Sequence, residues 1–253
     1  MFVIISFEMK KITSTRNPEI KYLKKLDERG GVLDDFFLVE GKKIVDEVLK
    51  SKHEILKIYT VNYTQKYSKN TILIDEKVAR YLSKFPSPSK IFALCKKAKS
   101  EDAFSLPAII LDGVQNPENV GGIARSAESF GFKTIYLTKG SVDPFKFRVI
   151  RSSMGSSLRV NFIKIEEIAD FLSSLHQKGI KIYLTYKGSG KNIYQLTPQK
   201  NSVIVFGNEG HGISREFEKY GEKITIPMED NVESLNILSS ASIVMSYFYQ
   251  RLK

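Results

Sequence analysis

The chain has no tryptophan, a single cysteine (Cys95) and three histidines (His53, His176 and His211) in 253 residues. One thiol cannot close an internal disulfide, and three histidines so far apart have no metal-ligand spacing. Neither a disulfide scaffold nor a Cys/His metal site is expected, and a reducing cytoplasm is the default setting. No run of about 18 apolar residues occurs, so no membrane-spanning helix is expected. The stretch MFVIISFEMKK places its lysines after a short apolar run, the reverse of a secretion signal, and Met9 is a second candidate start. Acidic residues are the other shortage, with 28 Asp and Glu against 39 Lys and Arg, a net charge of +11. Such a surplus suits a polyanionic partner, RNA or DNA first, although lysines spread over solvated faces give the same total.

The length admits one large domain or two smaller ones. The polar stretch KKAKSEDAFSLP, ending in proline, reads as a boundary. We expect a domain over residues 1–98, a linker over 99–106 and a second domain over 107–253. Residues 1–105 hold 21 basic and 14 acidic side chains (net +7), against 18 and 14 (net +4) in the remainder. The smaller part therefore carries the larger excess. In it, RNPEIKYLKKL has Asn17 as N-cap, Pro18 in the first turn, and Ile20, Leu23 and Leu26 at helical spacing. The runs FFLVE, ILKIYTV and IFALC read as strands, and KKIVDEVLK and DEKVARYLSK as helices, which makes a compact α/β unit.

The second part carries PAIILD, KTIYLT, IKIYLTY, SVIVFG and KITIPM, with LRVNFI as a sixth apolar run and helical patterns between most of them. That alternation predicts a mostly parallel sheet covered by helices on both faces, with ligands at the carboxyl ends of its strands. Three segments fall there. In NPENVGGIARSAESFG (116–131), Asn116 and Pro117 open a helix, Gly131 stops it, and Val120, Ile123, Ala124, Ala127 and Phe130 face the sheet. Gly121 and Gly122 lie one turn before Arg125. They read as clearance for a polar substrate beside the guanidinium, the other reading being close helix packing with Arg125 in a surface ion pair.

The second segment, VIVFGNEGHG, spaces its glycines as GxxGxG rather than GxGxxG. It suits backbone wrapping of a nucleoside-like ligand around Glu209 more than a dinucleotide turn. His211 has nothing in sequence to pair with and reads as structural. In the third, IPMEDNVESLNILSSAS, Ser234 is expected to cap the last helix, with Asn236 in its first turn.

Taken in order, Asn119 and Arg125 in NPENVGGIAR, Glu209 in GNEG, and Ser234 with Asn236 in ESLN resemble the three motifs of the SpoU/TrmH family. These are S-adenosylmethionine-dependent RNA 2′-O-ribose methyltransferases of the SPOUT class. DPFKFRVIRSSMGS (143–156) resembles the segment between the first two motifs, and STRNPEIKYLKKL with FFLVEGKKIVDEVL resembles the small substrate-binding domain of ribosomal RNA members. The resemblance implies an α/β fold with a trefoil knot in the carboxyl-terminal methyltransferase domain, preceded by a small α/β ribosomal-protein-like RNA-binding domain. It further implies a homodimer with composite sites, S-adenosylmethionine held by the loops around Gly207, Ile226 and Leu235, and no metal. Arg125 would act on the ribose 2′-hydroxyl, Asn119 and Glu209 would orient it and the substrate, and Ser234 and Asn236 would fix ribose or cofactor. The sequence departs from the family pattern at EDNVE, which lacks a glycine, and at Leu238–Ser239, where a small residue and valine are usual. Ribosomal RNA is favoured over transfer RNA. A non-catalytic RNA-binding protein on the same fold, and a nicotinamide-dependent oxidoreductase suggested by GNEGHG, are the competing readings.

Overall fold

The computed structural model describes residues 10–29, 35–63, 67, 70–99, 105–229 and 231–253. Met9, Asp230 and most of the expected linker lie outside them. The chain divides into two compact units, one of residues 1–98 with 145–147, the other of 99–144 and 148–253.

In the first unit, β1 (Lys11–Ile12) leads into α1 (Pro18–Arg29), where Asn17 Oδ1 accepts from Glu19 N at 2.9 Å. β2 (Phe36–Glu40) stops at Gly41, whose φ of +97° suits a residue without a side chain, and α2 (Lys42–Leu49) follows. β3 (Glu54–Thr60), β4 (Thr71–Ile74), α3 (Glu76–Leu82, capped by Asp75) and β5 (Ile91–Lys96) complete it. The sheet order is β1-β4-β3-β5-β2, with β5 antiparallel to both neighbours and the other pairs parallel. Ile20, Leu23 and Leu26 of α1 join Val78 and Leu82 of α3 over Tyr59, Phe92 and Leu94. α2 lies against β2, β3 and β5 through Val45 and Val48. β1 and β4, of two and four residues, were too short to stand out as apolar runs. Cys95 is buried in β5, and burial raises its thiol pKa far above the usual range.

The second unit begins with β6 (Ala108–Asp112), α4 (Pro117–Ser129), β7 (Thr134–Leu137), α5 (Phe147–Ser152) and β8 (Asn161–Lys164). It continues through α6 (Ile168–Gln177), β9 (Lys181–Thr185), β10 (Lys191–Asn192) and β11 (Ser202–Gly207). It ends with α7 (Arg215–Glu218), β12 (Glu222–Thr225) and α8 (Ile237–Leu252). All six expected runs are strands, and the short β10 is added. The order β10-β12-β9-β11-β6-β7-β8 is parallel throughout.

A parallel strand between two layers must be apolar on both faces. β6 and β11 meet that demand by alternation. Ile109, Leu111, Ile204 and Phe206 pack beneath α4 and α8, while Ala108, Ile110, Val203 and Val205 pack with α6 and Phe217 of α7. The central strands are thereby fixed, and their carboxyl ends, where backbone pairing stops, are left to carry polar chemistry.

Candidate active site

The polar chemistry starts at the first turn of α4. Asn116 Oδ1 accepts from Glu118 N at 2.8 Å and Asn119 N at 3.3 Å, with Pro117 in the position that needs no donor. This cap sets Asn119, only 7% exposed, facing the loops beyond the strands. Its Nδ2 donates to Glu209 Oε1 at 2.5 Å, and its Oδ1 accepts from Asn236 Nδ2 at 3.4 Å. Asn236 Oδ1 in turn accepts from Leu238 N at 2.8 Å and so caps α8. Three of the expected polar residues, 90 and 117 positions apart along the chain, thus form one bonded row.

The cap corrects one expectation. Asn236, not Ser234, caps the last helix, because the helix starts two residues later than expected, at Ile237, and the Asn236 amide oxygen reaches the free N–H of Leu238. Ser234 is an exposed residue of the preceding loop.

Glu209 rides on a tight loop. Asn208 and Gly212 exchange backbone bonds at 3.0 and 2.8 Å, Asn208 Oδ1 accepts from Gly210 N at 2.8 Å, and Asn208 Nδ2 donates to Gly113 O at 2.7 Å. Any side chain at Gly207 would run into the Gly212 backbone. Asp112, buried at the end of β6, anchors the far side: its carboxylate accepts from Thr138 Oγ1 and from Ser214 N, each at 2.7 Å. Sequence reasoning missed Asp112 and Asn208. The one available signal was a polar residue closing each of two neighbouring apolar runs. His211 is exposed, and its backbone N–H donates to Asn208 Oδ1 at 3.2 Å.

Above these ends lies a cavity of about 300 Å³, bounded by the loops that leave β9, β11 and β12 and by the start of α8. Its lining includes Gly207, Ile226 and Leu235, and also Glu209, Ser234 and Asn236. Phe206, Ile224 and Val244 supply apolar walls. An apolar hollow with a few convergent polar groups has the make-up of a small-molecule site. A wide ring system suits its walls, and polar groups of a ligand would reach the Glu209 rim.

Arg125 stands apart. It is exposed on α4, does not line the cavity, and its guanidinium has no partner among the described residues. The glycines before it also read differently in place. A methyl on Gly121 would lie 2.7 Å from Val149 O, and one on Gly122 would lie 2.5 Å from Leu238 Cδ2. Segment 149–153 and α8 occupy the space expected to be clear for substrate. Ser152 Oγ donates to Pro117 O at 3.1 Å on the Gly121 side. The pair therefore permits close packing on two sides of α4, a sufficient reason for the roughly 0.5–1 kcal/mol that each costs inside a helix.

Residues 107–246 match the family described as the SpoU rRNA methylase family. Over 245 residues the chain is 28% identical to the 23S rRNA (guanosine(2553)-2′-O)-methyltransferase RlmP of Bacillus subtilis, covering 94% of this chain and 98% of that one. A solved structure described as an RNA methyltransferase of the TrmH family, from Porphyromonas gingivalis, superposes with a TM-score of 0.81 at 28% identity, covering 92% of this chain and 97% of that one. An AdoMet-bound rRNA methyltransferase of Sinorhizobium meliloti shares the fold at a TM-score of 0.85 and 23% identity, over 97% and 99% of the two chains.

Proposed function

The chain belongs to the SpoU rRNA methylase family, and from that premise we propose that it methylates a ribose 2′-hydroxyl of RNA with S-adenosylmethionine, ribosomal RNA before transfer RNA. The carrying observation is the row Asn119–Glu209–Asn236 at the rim of the cavity beyond β9, β11 and β12. The residues fit the cofactor. Apolar walls suit an adenine ring, and Gly207, Ile226 and Leu235 bring backbone groups to the lining. The Glu209 carboxylate favours a cationic group of a ligand at the rim.

When bound, S-adenosylmethionine supplies an electrophilic methyl on a sulfonium, so the transfer needs no metal. Held against Gly207, Ile226 and Leu235, it would offer that methyl to a ribose 2′-oxygen with the thioether as leaving group, and the hydroxyl proton would pass to an RNA phosphate or to water. The role we give Arg125 is cationic, stabilising the charge that grows on the 2′-oxygen. Asn119 holds Glu209 in one orientation, and Ser234 and Asn236 present polar groups to ribose or cofactor. Because Arg125 is exposed, its guanidinium has no partner among the described residues, and it does not line its own cavity, we assign it to the cavity of a second copy, which makes the active enzyme a homodimer.

Two further features belong to the same reading. β12, second from the edge beside β10, leads on to α8, which packs against α4, and we read that return as the trefoil knot the family resemblance implies. The first unit, with most of the surplus positive charge, is the RNA-binding part. A reducing cytoplasm suits the single buried thiol.

The test is transfer of labelled methyl from S-adenosylmethionine to ribosomal RNA taken from cells without this gene. A 2′-O-methyl removes the nucleophile of alkaline cleavage, so the label should survive in an alkali-resistant dinucleotide. Label in transfer RNA alone would move the substrate class. Cofactor binding without transfer to any RNA would leave a non-catalytic RNA-binding protein.

A further inference from the structure

Among the described residues that line the cavity, two carry a formal charge: Glu209 and Lys187. Glu209 is held by Asn119. Lys187 is exposed, and its ammonium has no partner among the described residues. An unpaired lysine on a protein surface is ordinary, but this one sits on a loop pinned at both ends. Before it, Thr185 Oγ1 donates to Val205 O at 2.8 Å, Tyr186 N donates to Ile224 O at 2.9 Å, and the Tyr186 hydroxyl donates to Glu218 at 2.7 Å. After it, Gly188 and Gly190 take φ values of +61° and +103°, and a side chain at Gly190 would collide with the Lys223 backbone. The neighbouring cation, Lys223, is already engaged with Glu218 at 3.3 Å and lies over the Tyr186 ring. The loop thus delivers one uncommitted positive charge to the cavity wall, opposite in sign to the one on the Glu209 rim.

We propose that Lys187 binds the carboxylate of S-adenosylmethionine. The inference rests on the methyl-transfer reading above and adds a residue to it. The aminoacyl end of that cofactor is a zwitterion, and a cavity offering one carboxylate and one ammonium matches both of its charges. A charge-assisted hydrogen bond of this kind is stronger than a neutral one. Lys187 acts by binding; it does not touch the reacting oxygen.

Calorimetry on the full chain provides the readout, with S-adenosylmethionine and its decarboxylated form as probes and no RNA present. Lys187→Met should weaken S-adenosylmethionine about tenfold, the scale of one lost charge-assisted bond. It should leave the decarboxylated form unchanged, so that the preference of the wild type for the carboxylate disappears. Lys187→Arg should keep most of the affinity. Unchanged affinity in Lys187→Met overturns the assignment, and a raised KM for RNA in a separate methyl-transfer assay of that variant would then give the charge to an RNA phosphate. A wild-type chain that binds neither probe would fail the methyl-transfer reading itself, a result distinct from a silent Lys187→Met.

Discussion

A carboxylate from each unit shows two opposite uses of hydrogen-bond donors. In the first unit Glu40, 5% exposed, accepts from Ser83 Oγ at 2.5 Å, Lys84 N at 3.2 Å and Ser89 N at 3.1 Å. Both of its oxygens are engaged inside the fold, fastening the loop after α3. In the second unit Glu209 accepts from Asn119 on one oxygen and lines a cavity. A group whose bonds are all internal has a structural role, whereas one held on a single side is oriented for something that arrives. The same contrast separates the sheets: the mixed sheet of the first unit ends in loops tied back to itself, and the parallel sheet of the second gathers open polar groups at one end.

The sharpest way to break that contrast is at the most open group. Arg125→Ala should lower the single-turnover methyl-transfer rate at least ~100-fold, the effect of removing one preorganised charge stabiliser, with S-adenosylmethionine affinity kept. A fully active variant would remove Arg125 from the chemistry. Next comes the packing that sets the site: Gly121→Ala should destabilise the second unit by about 1–3 kcal/mol in denaturant unfolding, as for other overpacked interiors. The carboxylates can be compared directly. Glu40→Gln should lower stability by about 1–3 kcal/mol through mismatched buried donors, with cofactor binding unchanged. Glu209→Gln should weaken cofactor binding and leave the melting temperature almost where it was. Reversed outcomes would mean that the two groups have been given each other's roles.

The smallest effect is one of pH. Burial raises the pKa of Glu19 in the first unit, but bonds from Lys57, Tyr59 and Lys10 outweigh it and bring the carboxyl from its ordinary 4.5 to about 2. A depressed carboxylate stabilises the fold above the unfolded value and loses that contribution as pH falls toward the folded one. Thermal melts of the first unit should therefore decline between about pH 4.5 and 2, and Glu19→Gln should flatten that decline.

Much of this architecture is legible in residues close along the chain. Asn17 with Pro18, and Asn116 with Pro117, announce their helices because capping is a local matter. The apolar runs of the second unit announce strands because both faces of a parallel sheet demand them. The row of Asn119, Glu209 and Asn236 is different: the motif resemblance names its members, but their bonds join segments whose proximity only the assembled sheet creates. Asp112 and Asn208 were missed for the same reason, being polar ends of strands whose partners lie 26 and 95 positions away. The glycine pair was misread because its reason for lacking side chains is α8 and segment 149–153, which are distant in sequence. Ser234 was misplaced by two residues, the ordinary error of reading a helix end without its geometry.

The Gly122–Leu238 contact has a consequence in heredity. One methyl on the glycine already intrudes on the leucine, so the two positions share a fixed allowance of volume. A descendant gene that adds bulk at position 122 must remove it at 238, and the leucine here is tolerable only opposite a glycine. The pair should drift together through related genes, a covariation arising from size and not from catalysis.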